Sequence, residues 1–305
     1  METSLNLHHL FLFSQVVEYQ SFSVAARSLN MTQPSVSLQI KSLERTLQIA
    51  LFERSGPQLQ LTDAGQVVYD AAKKILAIEL NLKRALEELH SGKIGHVSVA
   101  TNRPFGRYLL PKFLAQYIRT YPLADVSTQY ADTERISQLV ADELVDLGVV
   151  SSDGEGIDHS KLEVQTLYQD TWCLVASSNT KWADGTTGLR ELLTSAPLVT
   201  SVESSTNWKQ TKHILSQLQL SDRDYDVRIR LGDIESIKTM VLEGVGIALL
   251  PRSCAHNELT TGQFCDIASL SSLTFWLITK PKDHIRPTVQ QFVNLLTKYF
   301  LADQR

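Results

Sequence analysis

The sequence predicts an α/β protein built from an all-helical module at its N-terminus, one long connecting helix and a two-lobed α/β region. Three observations carry this expectation. Apolar residues recur at helical spacing through residues 1–62, ahead of a short hairpin pattern. A single helical period then runs unbroken from Thr62 to about Leu89. From His96 onward, short β-rich runs alternate with helical segments.

In the first module Leu7, Leu10, Phe13 and Val17 give one helix an apolar face. Ser23 can cap a second helix, Val24–Leu29, and its small Ala25-Ala26 pair lets a neighbouring helix approach closely. Thr32 can cap a third, with Pro34 in the first turn, where a missing N–H costs nothing. There Val36, Ile40, Leu43 and Leu47 form one apolar stripe. Leu51–Arg54, a Ser55-Gly56-Pro57 turn and Gln58–Leu61 read as a two-stranded wing, because Leu59 and Leu61 alternate with Gln58 and Gln60.

Thr62 opens the long helix. Val68, Ile75, Leu82 and Leu89 are spaced by heptads, and Ala71, Ile78 and Ala85 follow the first three at the d spacing. Such a seam can pack on its own domain or pair with a second chain. A seam this long and narrow needs a long partner, which favours a dimer. Ser91-Gly92 ends the helix, and Lys93-Ile94-Gly95 reads as a linker.

The strands expected beyond it are Val97–Asn102, Val126–Tyr130, Leu147–Val150, Val164–Tyr168, Trp172–Ala176, Leu198–Thr200, Val227–Leu231, Ile247–Pro251 and Phe275–Thr279. The helices are Tyr108–Thr120, Ile136–Asp142, Trp208–Gln219, Ile234–Glu243 and Pro287–Phe300. This alternation implies a mostly parallel sheet covered on both faces. So many strands exceed one small sheet, so two lobes with a cleft between them are expected. The domains read as 1–62, a connecting helix 63–92 and a two-lobed α/β region 93–305. Lobe 1 takes about 93–168 and 270–305, and lobe 2 about 169–269.

Composition narrows the function. The chain has 305 residues, 43% of them hydrophobic and 20% charged, an ordinary globular mixture. Lys+Arg number 29 against 33 Asp+Glu, so the net charge of -4 excludes a histone-like binder but not a local nucleic-acid module. Cys173, Cys254 and Cys265 make no Cys-x-x-Cys pair, and the N-terminus carries no basic n-region. The longest apolar runs, such as Val245–Pro251, fall far short of the ~20 residues that span a bilayer. A cytoplasmic, membrane-free protein without metal or cofactor is expected. There is no glycine-rich phosphate loop, Gly-x-Ser-x-Gly elbow or His-Glu-x-x-His, and His8-His9 stands alone, so no catalytic residue is assigned.

Two short helices, a tight connection and a third helix with an apolar back make a helix-turn-helix, spanning about Phe22 to Lys41. The second helix of such a pair enters the major groove. With the stripe inward, Gln33, Ser35, Ser37, Leu38, Lys41, Ser42 and Arg45 face outward. Gln33 can bind adenine, Ser37 can donate or accept, and Leu38 can touch a thymine methyl or pack on the neighbouring helix. Lys41, Arg45 and, beside the wing turn, Arg54 suit phosphates. Thr32, Gln33, Pro34, Ser35, Ser37, Leu38, Lys41, Arg45 and Arg54 are the candidate DNA contacts.

Within residues 1–62, Arg27, Lys41, Arg45 and Arg54 are cancelled by Glu2, Glu18, Glu44 and Glu53. A single neutral module cannot hold DNA tightly at physiological salt. Two modules coupled by the heptad seam, through Val68, Ile75, Leu82 and Leu89, can.

The run Ser21-Phe22-Ser23-Val24-Ala25-Ala26-Arg27-Ser28-Leu29-Asn30, followed by Thr32-Gln33-Pro34-Ser35-Val36-Ser37-Leu38-Gln39-Ile40-Lys41-Ser42-Leu43-Glu44, resembles the LysR-type regulator helix-turn-helix. Leu51-Phe52-Glu53-Arg54 and Leu61-Thr62-Asp63-Ala64-Gly65 are similar to that family's wing and linker-helix start. Weaker similarities at Tyr108-Leu109-Leu110-Pro111, Leu144–Val150 and Val245–Pro251 extend the resemblance over nearly the whole chain. Many members carry Arg or Lys where this chain has Leu38. The Ser-Leu-Gln-Ile version resembles regulators of carbon-fixation genes.

The resemblance implies a transcriptional regulator with a periplasmic-binding-protein-like effector region. It also implies a dimer through the long helix, a tetramer through the effector regions, an operator near its own or a divergent gene, and contact with RNA polymerase. By the same similarity, a small organic effector lies in a cleft lined by Thr101, Asn102, Arg103, Asp132, Thr133, Thr200, Ser201, Glu203, Ser204 and Thr206. The hydroxyls with Arg103 or Arg107 suit a small carboxylate or phosphate, and the competing reading is that these Ser and Thr only cap helices. Peroxide-sensing relatives use paired cysteines, but this chain has none in the loop after Leu198–Thr200, so a thiol switch is not expected.

Overall fold

The computed structural model describes residues 5–53, 59–91, 95–151, 157, 159–185, 187–281 and 285–303, with the side chains of residues 81, 84, 85, 87–91 and 303 outside that description. Arg54 and the Ser55-Gly56-Pro57 turn therefore lie outside the described residues, as do the Leu89 side chain and Lys93-Ile94.

Three helices open the chain: α1 (Leu7–Glu18), α2 (Phe22–Ser28) and α3 (Gln33–Leu47). Asn6 caps α1 by accepting from the His8 amide. The cap of α2 is Ser21, which accepts from the Val24 amide, and not Ser23 as the sequence suggested. Phe22 belongs inside the helix because its ring packs on Phe52, 5.4 Å between centroids. Ala25 and Ala26 are fully buried at the crossing, and Asn30 takes a left-handed φ of 54° to turn the chain into α3. Thr32 caps α3, with Pro at its start, and Val36, Ile40 and Leu43 are buried as the stripe requires.

The wing shrinks, among the described residues, to one antiparallel bridge between Phe52 and Leu61, with the Glu53 amide donating to the Gln60 carbonyl at 2.9 Å. Helix α4 (Asp63–Ser91) starts on Thr62, whose Oγ1 accepts from the Gly65 amide at 2.9 Å and donates to the Ala50 carbonyl at 2.8 Å. Gly65 is required here. A Cβ on it would stand 2.1 Å from the Leu51 carbonyl oxygen.

The remainder is α/β, but its main sheet is mixed, which corrects the mostly parallel expectation. The strands are β1 (His96–Thr101), β2 (Asp125–Tyr130), β3 (Leu147–Ser151), β4 (Glu163–Ser177), β5 (Leu198–Ser201), β6 (Val227–Leu231), β7 (Ala248–Pro251) and β8 (Phe264–Thr279). Six of them run in the order β2-β1-β3-β8-β4-β7, and β5-β6 form a parallel pair tied to it by a bridge from Leu198 to Ile247. The β1–β2 and β1–β3 pairs are parallel, whereas β3–β8, β4–β8 and β4–β7 are antiparallel.

Val164–Tyr168 and Trp172–Ala176, expected as two strands, are one 15-residue strand, β4. It pairs along its length with the 16-residue β8, from Glu163↔Thr279 to Ser177↔Phe264. The first end of this ribbon lies beside β3 and the other beside β7, so both lobes share it. Register shifts fall at Thr166/Tyr168, Trp172/Cys173 and Leu174/Val175.

Helices α5 (Leu110–Thr120), α6 (Thr133–Ala141), α7 (Leu189–Ser195), α8 (Thr206–Gln217), α9 (Ile234–Leu242), α10 (His256–Thr260) and α11 (Pro287–Asp303) cover the sheets. A π-turn, Phe105–Leu109, leads into α5. Phe105, Phe113, Phe275, Phe292 and Phe300 anchor the largest apolar cluster. No described helix is long and apolar enough to cross a membrane.

Candidate DNA-reading face and interlobe cleft

The outer face of α3 follows from its inner one. With Val36, Ile40 and Leu43 buried, Gln33, Leu38, Lys41 and Arg45 are exposed, and Ser35, Ser37 and Ser42 are half-buried. Leu38 is 60% exposed, so it does not pack on the neighbouring helix. Thr32 is occupied as the cap, accepting from the Ser35 amide at 3.4 Å, and Pro34 shapes the first turn. Ser23, no longer a cap, donates from Oγ to Gln33 Oε1 at 2.9 Å and so holds that carboxamide from the neighbouring helix.

The heptad seam divides. Val68 and Ile75 pack into the core of their own module, while Ile78 and Leu82 are 61% and 59% exposed, and Leu86 is exposed beyond them. Halfway along α4, the Lys74 ammonium meets Asp142, at the end of α6, at 2.7 Å.

The two lobes present matching strand ends. In the first, Thr101 is buried and Asn102 Oδ1 accepts from the Phe105 amide at 3.4 Å, while Asn102 Nδ2 donates to Ser151 Oγ. Arg103 lies over the Tyr130 ring, 5.8 Å from its centroid. Asp132 accepts from the Arg135 amide and is the cap of α6, and Thr133 is that helix's first residue. In the second lobe Thr200 and Ser201 are buried. Asn207 Nδ2 donates to Ser201 Oγ at 2.8 Å, and its buried Oδ1 has no hydrogen-bond partner among the described residues. Ser205 caps α8, Ser204 and Thr206 are exposed, and Glu203 pairs with Arg230 at 3.5 Å.

Asp132 and Ser205 are thus helix caps, whereas Thr101, Thr200 and Ser201 cap none of the described helices. A cavity of about 420 Å³ lies beside Glu203, lined also by Trp208, Lys212, Asp222, Tyr225 and Arg230. A larger groove of about 840 Å³ runs between α11 and the Glu163–Gln165 edge of β4 and contains none of the expected residues.

Sequence reading missed the contacts that cross between lobes. The Tyr108 hydroxyl, in the π-turn of the first lobe, donates to Glu235 Oε1 in the second at 2.6 Å. Arg107 Nε stands 3.7 Å from the same oxygen and Lys238 Nζ 3.2 Å from it. Burial pushes the Glu235 carboxyl up, but the hydrogen bonds from Tyr108 and Lys238, with the charges of Lys238 and Arg107, more than offset it and leave the group below the usual carboxyl range. Burial, then the hydrogen bond to Glu235, raises the Tyr108 phenol. Ser151 and Asn207 were also missed, although each sits where a strand ends or a following helix begins.

Cys173 and Cys254 are buried, and Cys173 Sγ donates to the Leu250 carbonyl. Burial raises both thiols, Cys173 to about 11. Neither supplies a ready thiolate.

Two family models match the chain. Residues 7–66 match the bacterial regulatory helix-turn-helix protein, lysR family, and residues 90–301 match the LysR substrate binding domain. A probable RuBisCO transcriptional regulator of Thalassiosira pseudonana is 30% identical over 302 residues, covering 97% of this chain and 98% of the relative. One from Trichormus variabilis is 30% identical over 289 residues, covering 94% and 86%. Among solved structures, full-length CbnR complexed with its target DNA aligns with a TM-score of 0.74 at 19% identity, over 96% of this chain and 99% of that one. CrgA of Neisseria meningitidis aligns with a TM-score of 0.54 at 22% identity, over 97% and 99%. These solved structures support the fold, and the carbon-fixation relatives agree with the Ser37-Leu38-Gln39-Ile40 resemblance.

Proposed function

The chain belongs to the LysR family of bacterial helix-turn-helix transcriptional regulators, and from that premise we propose that paired α3 helices read operator DNA while a small anionic ligand between the lobes sets the output. The observation that carries the first half is the two-faced α3, with Val36, Ile40 and Leu43 buried and Gln33, Leu38, Lys41 and Arg45 exposed. Gln33 and Ser37 read base edges, Leu38 meets a thymine methyl, and Lys41, Arg45 and Arg54 neutralise phosphates. Thr32, Pro34 and Ser35 hold the first turn against the groove.

Dimerisation uses the outer half of the α4 seam, from Ile78 through Leu82 to Leu89, and pairs two modules that are each too weakly charged to bind alone. Val68 and Ile75 support that pairing by fixing α4 to the reading module. A second contact, through the effector regions, completes a tetramer. The domains assigned are the reading module 1–62, the pairing helix 63–92 and the effector region 93–305.

The ligand is a small carboxylate or phosphate held by Thr101, Asn102, Arg103 and Thr133 from one lobe and Thr200, Ser201, Ser204 and Thr206 from the other. Asp132 and Glu203 shape the rim. Asn207 Oδ1, without a hydrogen-bond partner among the described residues, is an acceptor, so it calls for a hydroxyl or amine on the ligand beside its anionic group. Ligand binding shifts the lobes, and the Lys74–Asp142 contact couples lobe 1 to α4. A ligand acts this way only by binding one arrangement better than the other. The relatives, named as probable RuBisCO transcriptional regulators, make carbon-fixation genes, and any gene divergent from this one, the first operators to test. Contact with RNA polymerase would convert the DNA-bound arrangement into transcription.

Fluorescence anisotropy with the intergenic DNA beside this gene, run at several salt concentrations against a scrambled duplex, tests the reading. Tight, sequence-dependent binding near physiological salt is expected. Gln33→Ala should weaken binding at particular base pairs by about tenfold, and Lys41→Ala should weaken all duplexes alike. Equal binding to operator and scrambled DNA across a broad panel would overturn it.

A further inference from the structure

We infer that Arg107, Tyr108, Glu235 and Lys238 form a clasp across the cleft that sets the spacing of the two lobes. The inference rests on the reading of the cleft as the ligand-responsive element.

Three donors from both lobes converge on a single oxygen. Glu235 Oε1 accepts from the Tyr108 hydroxyl at 2.6 Å, with Lys238 Nζ at 3.2 Å and Arg107 Nε at 3.7 Å. Tyr108 and Arg107 ride on the π-turn after β1, and Glu235 and Lys238 on the first turns of α9 after β6. The Lys238 ammonium also lies 5.3 Å from the centre of the Tyr108 ring, a second attraction between the same two lobes.

The clasp is built to be separable. Lys238 is 5% exposed, and a buried cation stripped of its partners is costly. Glu258, on α10 of the second lobe, holds Lys238 at 2.8 Å, so withdrawal of Tyr108 does not strand that charge. Glu235 is 38% exposed at its side chain and can be rehydrated as the lobes part. The lobe-spanning bonds are therefore the ones that break, while the pairing inside the second lobe persists.

The π-turn also connects the clasp to the cleft floor. A Cβ at Gly106 would stand 2.5 Å from both the Thr101 and Tyr130 side chains. The turn that carries Tyr108 is thus seated directly on two residues at the strand ends where the ligand is expected. A ligand that displaces Thr101 or Tyr130 moves Tyr108 against Glu235, and closure of the clasp feeds back on the ligand site by the same route.

The test is amide hydrogen exchange on the full, ligand-free chain, comparing wild type with Tyr108→Phe, Glu235→Gln and the double variant. Tyr108→Phe keeps the ring and removes one hydroxyl, so it spares the packing. A working clasp makes each substitution speed exchange in the opposite lobe, residues 234–239 for Tyr108→Phe and 105–110 for Glu235→Gln. The expected increase is about tenfold, with α1–α3 unchanged and the double variant's increase short of the product of the two single ones. Effects confined to each variant's own lobe, or effects that add in the double variant, would overturn the clasp. The cleft reading fails separately, through a metabolite screen of carboxylates and phosphates in which none alters operator binding by the wild-type chain.

Discussion

Replacing Ile78 and Leu82 by serine should break association through α4 while leaving the fold intact. These side chains are 61% and 59% exposed in a single chain. Burying a whole aliphatic side chain contributes about 1.5–3 kcal/mol, so covering the remaining three-fifths contributes roughly 1–1.8 kcal/mol for each. A symmetric pair of helices buries four such side chains, which gives roughly 4–7 kcal/mol. At about 1.4 kcal/mol per tenfold, the dissociation constant of this interface should rise by about 10³–10⁵. Sedimentation equilibrium of the full chain should show the loss of one assembly step, and operator affinity should fall toward that of a single module. Serine at Val68 and Ile75 should do the reverse, lowering the melting temperature with little change in assembly, because those two pack half-buried against the module's own core. An Ile78/Leu82 double variant of unchanged mass and unchanged operator affinity would refute the division of the seam.

Gly65→Ala should destabilise the reading module by about 1–3 kcal/mol in thermal unfolding, since its Cβ would press on the Leu51 carbonyl; an unshifted melting curve would show that the backbone yields there. Ser23→Ala should lose discrimination at the base pair read by Gln33 while keeping general DNA affinity, and Ser23→Thr should restore it; anisotropy on single-position operator variants decides. The Glu235 carboxyl is held below its usual range, so the stability it supplies is complete above the unfolded pKa and is lost as pH falls through the folded one. Acidification through that window should speed interlobe exchange in wild type and much less in Glu235→Gln. Titration of the native protein with an aromatic disulfide should find Cys265 reactive and Cys173 and Cys254 silent until unfolding, because burial removes their thiolates.

The reading module was largely legible because its helices are marked by local chemistry. Thr32 and Pro34 announce α3, and the Val36–Leu43 stripe fixes its inner face. Ser21 and Ser23 both flank Phe22, and only the contact of that ring with Phe52 decides which serine stays outside the helix and caps it.

The α/β region was less legible. Hydrophobic periodicity reports strand positions but not strand direction, so the antiparallel pairings of β4 and β8 were invisible. The polar stretch Gln169-Asp170-Thr171 looked like a break. In the fold Asp170 is buried within the strand and accepts from the Ser253 amide, which satisfies it without ending the ladder. The first half of β8, Phe264–Ser272, carries too little apolar alternation to announce itself. Tyr108 and Glu235 are separated by the whole sheet in sequence, and no local pattern pairs them.

The β4–β8 ribbon gives the effector region a particular mechanical character. Lobes joined by loops can swing freely, whereas lobes joined by a continuous two-stranded ladder are mounted on a flexure. Such a ribbon resists sliding, because sliding would break every rung at once, and it yields to bending and twist. Its compliance should be greatest at Thr166/Tyr168, Trp172/Cys173 and Leu174/Val175, where the register already steps. The lobes should therefore rock through small angles with an elastic restoring force, and a bound ligand would work against that spring, so that its departure alone would return the regulator to rest.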